Sequence, residues 1–225
     1  MILVFDMDDT LYDEATYVQS GLKAVAQWLA STLNQSADHL HLEMTQILNC
    51  LGRGRVFDTL LQRHARSSRK LVDECVRCYR KHAPAIRLHE AGRDCLRRFR
   101  KLPLYVVTDG NKTAQSAKAR ALGLEKIVRK VFITHRYGVQ HAKPSAHCFQ
   151  IIQQLEKTPP QNIVYIGDNP AKDFVGINPL GFRTIRVLTG PNATAVARPG
   201  FDAQITIRTL NELTHDLLQS SEFVE

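Results

Sequence analysis

The sequence contains no apolar run approaching the roughly 20 residues that a membrane-spanning helix needs, so no such helix is expected. It has no internal repeat, no low-complexity segment and no long flexible linker, which excludes a repeat array and a disordered architecture. No basic segment precedes the first apolar run, which begins at Met1, so no secretory leader is expected and the reading is a soluble, cytoplasmic protein. Cysteine is sparse and odd in number: Cys50, Cys75, Cys78, Cys95 and Cys148. An odd set of five does not make a disulfide framework and reads as reduced thiols in a cytosolic chain. Cys75 and Cys78 form a CxxC with no second pair. They fall in a helical pattern with Leu71, Val72, Val76 and Tyr79, so helix packing is preferred to zinc binding or redox chemistry.

What is present suffices for a full core: 225 residues, 44% of them apolar, fit one domain with an insertion or two small domains. The formal charge is +8, and its distribution is uneven. Residues 52–101 alone hold 15 Lys and Arg against 5 Asp and Glu. A basic face draws anions such as phosphates or nucleic acid, although a solvated helical surface accounts for most of these residues. No basic motif interleaved with aromatics supports nucleic-acid binding, so no such partner is expected.

Two styles of sequence alternate along the chain. Val18, Leu22, Val25, Ala26, Leu29 and Leu33 keep helical spacing, as do Leu40, Met44, Ile47, Leu48 and Leu51 after a Ser36 cap. Further helical patterns cover 55–65, 68–82 and 89–101, with no strand between them. From Pro103 onward, apolar strands alternate with helices. LPLYVVT, KVFIT, NIVYIGD, FRTIRVL and a segment near Ala203–Ile207 read as strands. Helices are expected across 111–122, Ser145–Leu155, a short piece from about Pro170, and 209–221. This pattern predicts an α/β fold with a Rossmann-like parallel sheet covered on both faces. Residues 1–13 and 89–225 would make the core, and 14–88 would be a helical insertion after the first strand.

That first strand ends abruptly. Met1 to Phe5 are apolar, and then Asp6, Asp8 and Asp9 crowd three carboxylates into four positions. Two other predicted strands also end in polar residues, at Thr108 and Asp168; Asp173 follows in the next turn, and Lys143 precedes Pro144 in a loop before a helix. Open α/β sheets bind ligands at the carboxyl ends of their strands. If the three strands are neighbours, carboxylates, a hydroxyl and a lysine converge on one crevice. Crowded carboxylates are costly unless a cation holds them, and an octahedral Mg²⁺ with carboxylates, waters and a phosphate oxygen fits the pattern. A carboxylate beside the metal can also act as a nucleophile. The alternative is that Asp6 to Thr10 are merely a helix N-cap cluster, which leaves the other strand ends unexplained.

These residues resemble the haloacid dehalogenase-like (HAD) superfamily, and specifically its phosphatases. Four motifs match in order: DxDxT at Asp6-Met7-Asp8-Asp9-Thr10, the strand-end Thr108 in VVTDGN, Lys143 in AKPSAHCF, and GDxxxxD from Gly167 through Asp168 to Asp173. The resemblance implies that Asp6 forms an aspartyl-phosphate. Asp8 would protonate the leaving oxygen and then activate water. Mg²⁺ would be held by the Asp6 carboxylate, the Asp8 backbone carbonyl and Asp168. Thr108 and Lys143 would bind the transferring phosphoryl group with backbone N–H groups near Asp109 and Gly110. Asp173 would orient Lys143 or a metal-bound water, and Thr10 would support the first motif. Dehalogenases of the superfamily lack the second acid, so Asp8 favours phosphate esters, whose alkoxide leaving group needs a proton.

The helical insertion resembles the family's C1 cap, which closes over the site and reads the leaving group. Within it, Gly52-Arg53-Gly54-Arg55 is a candidate substrate loop; it follows a helix and not a strand, so a dinucleotide-binding role fails on context. His39 and His41 lack a third ligand and read as surface residues. His135, His141 and His147 surround Lys143 in sequence, and one could line the pocket. Lys112 could touch phosphate or face solvent, and Asn169 and Pro170 shape the turn after Asp168. The expected function is a Mg²⁺-dependent phosphatase acting on a small phosphorylated metabolite as a monomer or homodimer. A phosphomutase on the same core, or a nucleic-acid or protein binding module using the basic stretch, are the alternatives.

Overall fold

Six apolar segments form one sheet: β1 (Ile2–Phe5), β2 (Leu104–Thr108), β3 (Lys130–Ile133), β4 (Ile163–Gly167), β5 (Arg183–Val187) and β6 (Ile205–Ile207). Every pairing is parallel, and the spatial order is β3-β2-β1-β4-β5-β6. The structure is a computed structural model that describes residues 1–220 and Phe223. The chain divides into two units, residues 1–14 with 87–225, and residues 15–86.

In the first unit, every residue of β1, β2 and β4 is buried. That explains why these strands read as continuous apolar runs without alternation. Val4, Val107, Phe132, Phe149, Tyr165, Phe174 and Phe182 pack into one core cluster. Burying each large apolar side chain contributes about 1.5–3 kcal/mol. The helices of this unit are α5 (Glu90–Arg98), α6 (Lys112–Ala121), α7 (His147–Glu156) and α8 (His215–Leu218). Asn111 caps α6 by accepting from the N–H groups of Thr113 and Ala114. His89 caps α5: its Nδ1 accepts from Gly92 N–H at 2.8 Å. Its Nε2 must then carry the proton and donates to the Thr10 carbonyl at 2.9 Å, tying α5 to the turn after β1.

Two expected helices differ. The segment from Pro170 is a series of turns up to a 3₁₀ turn at Asn178–Leu180. Asp173 turns inward there to meet Lys143, and a tight turn with Pro170 and Gly176 suits that better than a helix. The helix expected over 209–221 is instead a 3₁₀ turn at Leu210–Glu212 and the single-turn α8. Thr209 and Glu212 form a capping box on the first and Thr214 caps the second, so two helix starts stand where one was read. Ser221 lies outside the described residues.

The second unit is helical: α1 (Glu14–Leu33), which begins in the first unit, α2 (Ala37–Leu51), α3 (Val56–Arg63) and α4 (Arg69–Lys81). Ser36 and Ser68 cap α2 and α4. Val18, Leu22, Val25, Leu29, Leu40, Met44, Ile47, Leu60 and Cys75 share one core. Cys75 is buried within it, and burial pushes its thiol up to about 12, so it packs as a small apolar group. Arg53–Arg55 form a short exposed 3₁₀ turn. His39 is exposed, and His41 Nε2 lies 3.0 Å from Gln19 Oε1.

Within their own helices, Arg69, Arg77 and Arg97 are exposed and pair with acids three or four positions away. Such pairs contribute about 0–1 kcal/mol each, which fits a solvated face. Among the described residues no helix is long and apolar enough to cross a membrane.

Candidate active site

The sheet order sets the site. The chain runs outward from β1 through β2 to β3, then returns to place β4 on the other side of β1. The carboxyl ends of β2, β1 and β4 therefore sit side by side at the point where the order reverses, which is where such sheets bind ligands. Asp6 follows β1, with its N–H donating to the Ile166 carbonyl of β4 at 2.8 Å. Thr108 closes β2, and Asp168 follows β4.

Lys143 stands at the centre, almost fully buried. Its Nζ donates to Asp6 Oδ1 at 2.9 Å, Asp173 Oδ1 at 2.7 Å and the Tyr165 hydroxyl at 2.8 Å. Burial works against its charge, but Asp173 and Asp6 outweigh that and hold its pKa well above the ordinary lysine value. Tyr165 also donates to Asp173 Oδ1 at 3.1 Å, and Asp173 Oδ2 accepts from Asn169 N–H at 2.9 Å. Gly167 makes this approach possible, because a Cβ there would lie 2.5 Å from Asp173 Oδ2.

The acids outnumber the lysine. Asp6, Asp168 and Asp173 are all buried, and each offers an oxygen within 4.8 Å of the others'. Burial pushes the Asp6 carboxyl up to about 8, with Lys143 opposing and Asp173 adding to the rise. Asp168 is pushed up to about 6 by burial, against the hydrogen bond from Asn192. Three buried carboxylates facing one ammonium are a hard, oxygen-only donor set with an uncompensated negative charge, and that set fits a divalent cation.

The remaining predicted residues take distinct places. Thr108 Oγ1 is buried and has no hydrogen-bond partner among the described residues. Thr10 Oγ1 lies 3.5 Å from Asp168 Oδ1, at the outer limit of a hydrogen bond. The Asp109 carboxylate accepts from Thr134 Oγ1 at 2.6 Å and from Lys143 N–H at 3.0 Å, and pairs with Lys172 at 3.4 Å. Burial opposes its ionisation, but the Lys143 charge and these contacts bring its carboxyl below the usual range. Gly110 follows with a φ of 126°, and Lys112 is exposed. His141 and His147 stack on each other with ring centroids 4.0 Å apart. Arg53 and Arg55 belong to the helical unit.

Asp8 is held by residues that the motifs do not contain. Its Oδ1 accepts from the Tyr12 hydroxyl at 2.5 Å and from Lys118 Nζ at 2.8 Å, and its Oδ2 accepts from Gln115 Nε2 at 2.8 Å. Lys118 is 3% exposed and also reaches Glu14 Oε1 at 3.0 Å. Sequence reading missed Tyr12, Gln115, Lys118, Tyr165 and Asn192. Tyr165 carried a signal: a tyrosine inside an otherwise apolar buried strand must find a partner for its hydroxyl. Gln115 and Lys118 share a face of α6 three residues apart, which is equally compatible with solvent.

The carboxyl edge of this parallel α/β sheet thus carries a lysine among buried acids. The haloacid dehalogenase-like hydrolase model matches residues 1–181, and the chain belongs to that family. It is 28% identical over 197 residues to a glyceraldehyde 3-phosphate phosphatase from Methanopyrus kandleri, covering 84% of each chain. A HAD hydrolase from Bacillus subtilis, solved bound to magnesium, superposes with a TM-score of 0.66 at 21% identity, over 96% of this chain and 97% of that one. A 2-haloacid dehalogenase from Pseudomonas syringae superposes with a TM-score of 0.63 at 23% identity, over 97% and 98% of the two chains. At such identities the solved structures speak for the fold.

Proposed function

We propose that this hydrolase cleaves small phosphate monoesters through a phosphorylated Asp6, with Mg²⁺ as its cofactor. The observation that carries the reading is the buried Lys143 bridge between Asp6 and Asp173 beside Asp168, with the second acid Asp8 two residues from Asp6. The enzyme is a phosphoric monoester hydrolase. Asp6, Asp168 and the Asp8 carbonyl would hold the cation, which when bound neutralises charge on the phosphoryl oxygens. Lys143 and the unpartnered Thr108 hydroxyl bind those oxygens, supported by backbone N–H groups near Asp109 and Gly110.

Asp6 attacks phosphorus, and the bond to the ester oxygen breaks as that oxygen takes a proton from Asp8, which must first be protonated and so give up part of its hold on Tyr12, Gln115 or Lys118. Water then attacks the aspartyl-phosphate, Asp8 removes its proton, and the P–O bond to Asp6 breaks to release inorganic phosphate. Asp173 keeps Lys143 in place throughout. Asp8 is what separates this reading from dehalogenation, since a halide leaves without a proton. The named activity of the Methanopyrus relative makes glyceraldehyde 3-phosphate the first substrate to test, with sugar phosphates and nucleoside monophosphates beside it. Stoichiometric release of inorganic phosphate supports the reading. An isomeric monophosphate would indicate a mutase, and halide release from 2-chloropropionate a dehalogenase.

Asp8→Asn is expected to slow turnover by about 10²–10⁴-fold, the usual worth of general acid–base catalysis. In single-turnover phosphorylation, an alkyl phosphate should lose more than para-nitrophenyl phosphate, whose leaving group needs no proton. Equal losses for both would remove Asp8 from the acid role.

Residues 15–86 would act as the cap, with Arg53 or Arg55 binding a second anionic group of the substrate in forked geometry. Arg53→Ala and Arg55→Ala are then expected to depress kcat/KM for the physiological substrate while sparing para-nitrophenyl phosphate. An unchanged ratio between the two substrates would leave the turn without a role in specificity.

A further inference from the structure

Asp168 has one oxygen already engaged. Asn192 Nδ2 donates to its Oδ2 at 2.8 Å, whereas among the described residues its Oδ1 meets the distant Thr10 hydroxyl. The amide must present its nitrogen, because its oxygen would repel the carboxylate. Asn192 comes from the loop between β5 and β6, outside all four motifs, and lies 24 residues from Asp168 in sequence.

That loop is fastened from two sides. The Arg186 guanidinium, on β5 and 4% exposed, donates through Nη2 to the carbonyls of Asn192 at 2.9 Å and Ala195 at 2.6 Å. Its Nη1 reaches Asp202 Oδ2 at 3.2 Å, at the far end of the loop. On the other side, Thr189 Oγ1 donates to the Asp9 carbonyl at 2.5 Å. Gly190 lies against Asp9 so closely that a Cβ would come within 2.5 Å of the Asp9 Cβ, and its φ of 62° favours glycine independently. One loop thus contacts both the turn after β1 and the carboxylate after β4.

We infer that Asn192 is a positioning residue for Asp168: its amide fixes one carboxylate oxygen so that the other faces the cation. The inference rests on the metal reading proposed above. The chemistry favours an amide over the alternatives. A lysine at this place would neutralise Asp168 and compete with the cation, and an aspartate would add repulsion, whereas an amide orients the ligand without changing its charge. The buried Arg186 makes that orientation rigid by holding the Asn192 backbone.

Outer-shell partners of metal ligands typically contribute about 10–100-fold in metal affinity. The test is Mn²⁺ titration of the full chain, followed by electron paramagnetic resonance, for wild type, Asn192→Ala and the exposed loop control Thr194→Ala. Asn192→Ala is expected to weaken Mn²⁺ binding by that factor, and Thr194→Ala to bind as wild type does. The metal-free melting temperature of Asn192→Ala should stay near the wild-type value, since the side chain is only half-buried. Wild-type Mn²⁺ affinity in Asn192→Ala overturns the inference alone. Failure of the wild type to bind Mn²⁺ overturns it together with the metal reading.

Discussion

Asp6→Asn should bring phosphate release down to background, at least about 10⁴-fold below the parent, as loss of a covalent nucleophile commonly does. An amide is a poor nucleophile and cannot carry the charge that a carboxylate brings to the cation. The side chain would still accept from Lys143, so the fold should survive. Stability offers a second, independent readout. Burial raises the folded-state pKa of Asp6 from 3.8 to about 8. A carboxyl raised in this way contributes stability that is fully present below about pH 4 and is lost as pH rises through about 8. Asparagine has no such titration. The metal-free variant should therefore lose less stability than the parent between pH 4 and pH 8 in chemical denaturation. Near-normal turnover would remove Asp6 from the mechanism, and parallel pH curves would remove the buried titration.

Exhaustive chelation should abolish turnover, Mg²⁺ should restore it, and Ca²⁺ should not. Calcium takes more oxygen ligands at longer distances, and would leave the nucleophile and phosphorus misaligned. The same site predicts a pH-dependent thermal shift. Binding requires ionised Asp6 and Asp168, whose carboxyls are raised to about 8 and about 6 by burial. Protons therefore compete with the cation below those values. A fixed Mg²⁺ concentration should raise the melting temperature more at pH 8 than at pH 5, where both groups hold protons. Full activity in excess EDTA, or a thermal shift indifferent to pH, would count against a carboxylate-held cation.

The sheet and the first helices of the helical unit were both legible in the sequence. The strands stood out because β1, β2 and β4 are buried on both faces and read as unbroken apolar runs. The caps at Ser36 and the helical spacing of Val18 to Leu33 were equally plain. Where propensity was weak and turns dominated, the reading erred: the chain forms turns after Pro170, and after Thr209 a 3₁₀ turn and a one-turn helix in place of one continuous helix. The acidic strand ends were visible because charge at the end of an apolar run is costly and needs a reason.

Sequence alone singled out the candidates: Asp6, Asp8, Thr108, Lys143, Asp168 and Asp173 stood out by residue type, by order and by their match to the family's motifs. Tertiary structure decided their partners. Only the strand order brings β4 against β1, and with it Tyr165 and Asp173 onto Lys143. Only the packing of α6 delivers Lys118 and Gln115 to Asp8, more than a hundred positions away in sequence. Asn192 reaches Asp168 from a loop whose local sequence carries no mark of it, because the buried Arg186 that holds the loop is set by burial on β5. Local sequence specifies the groups that carry charge. The contacts that orient that charge come from distant segments whose proximity only the folded sheet creates.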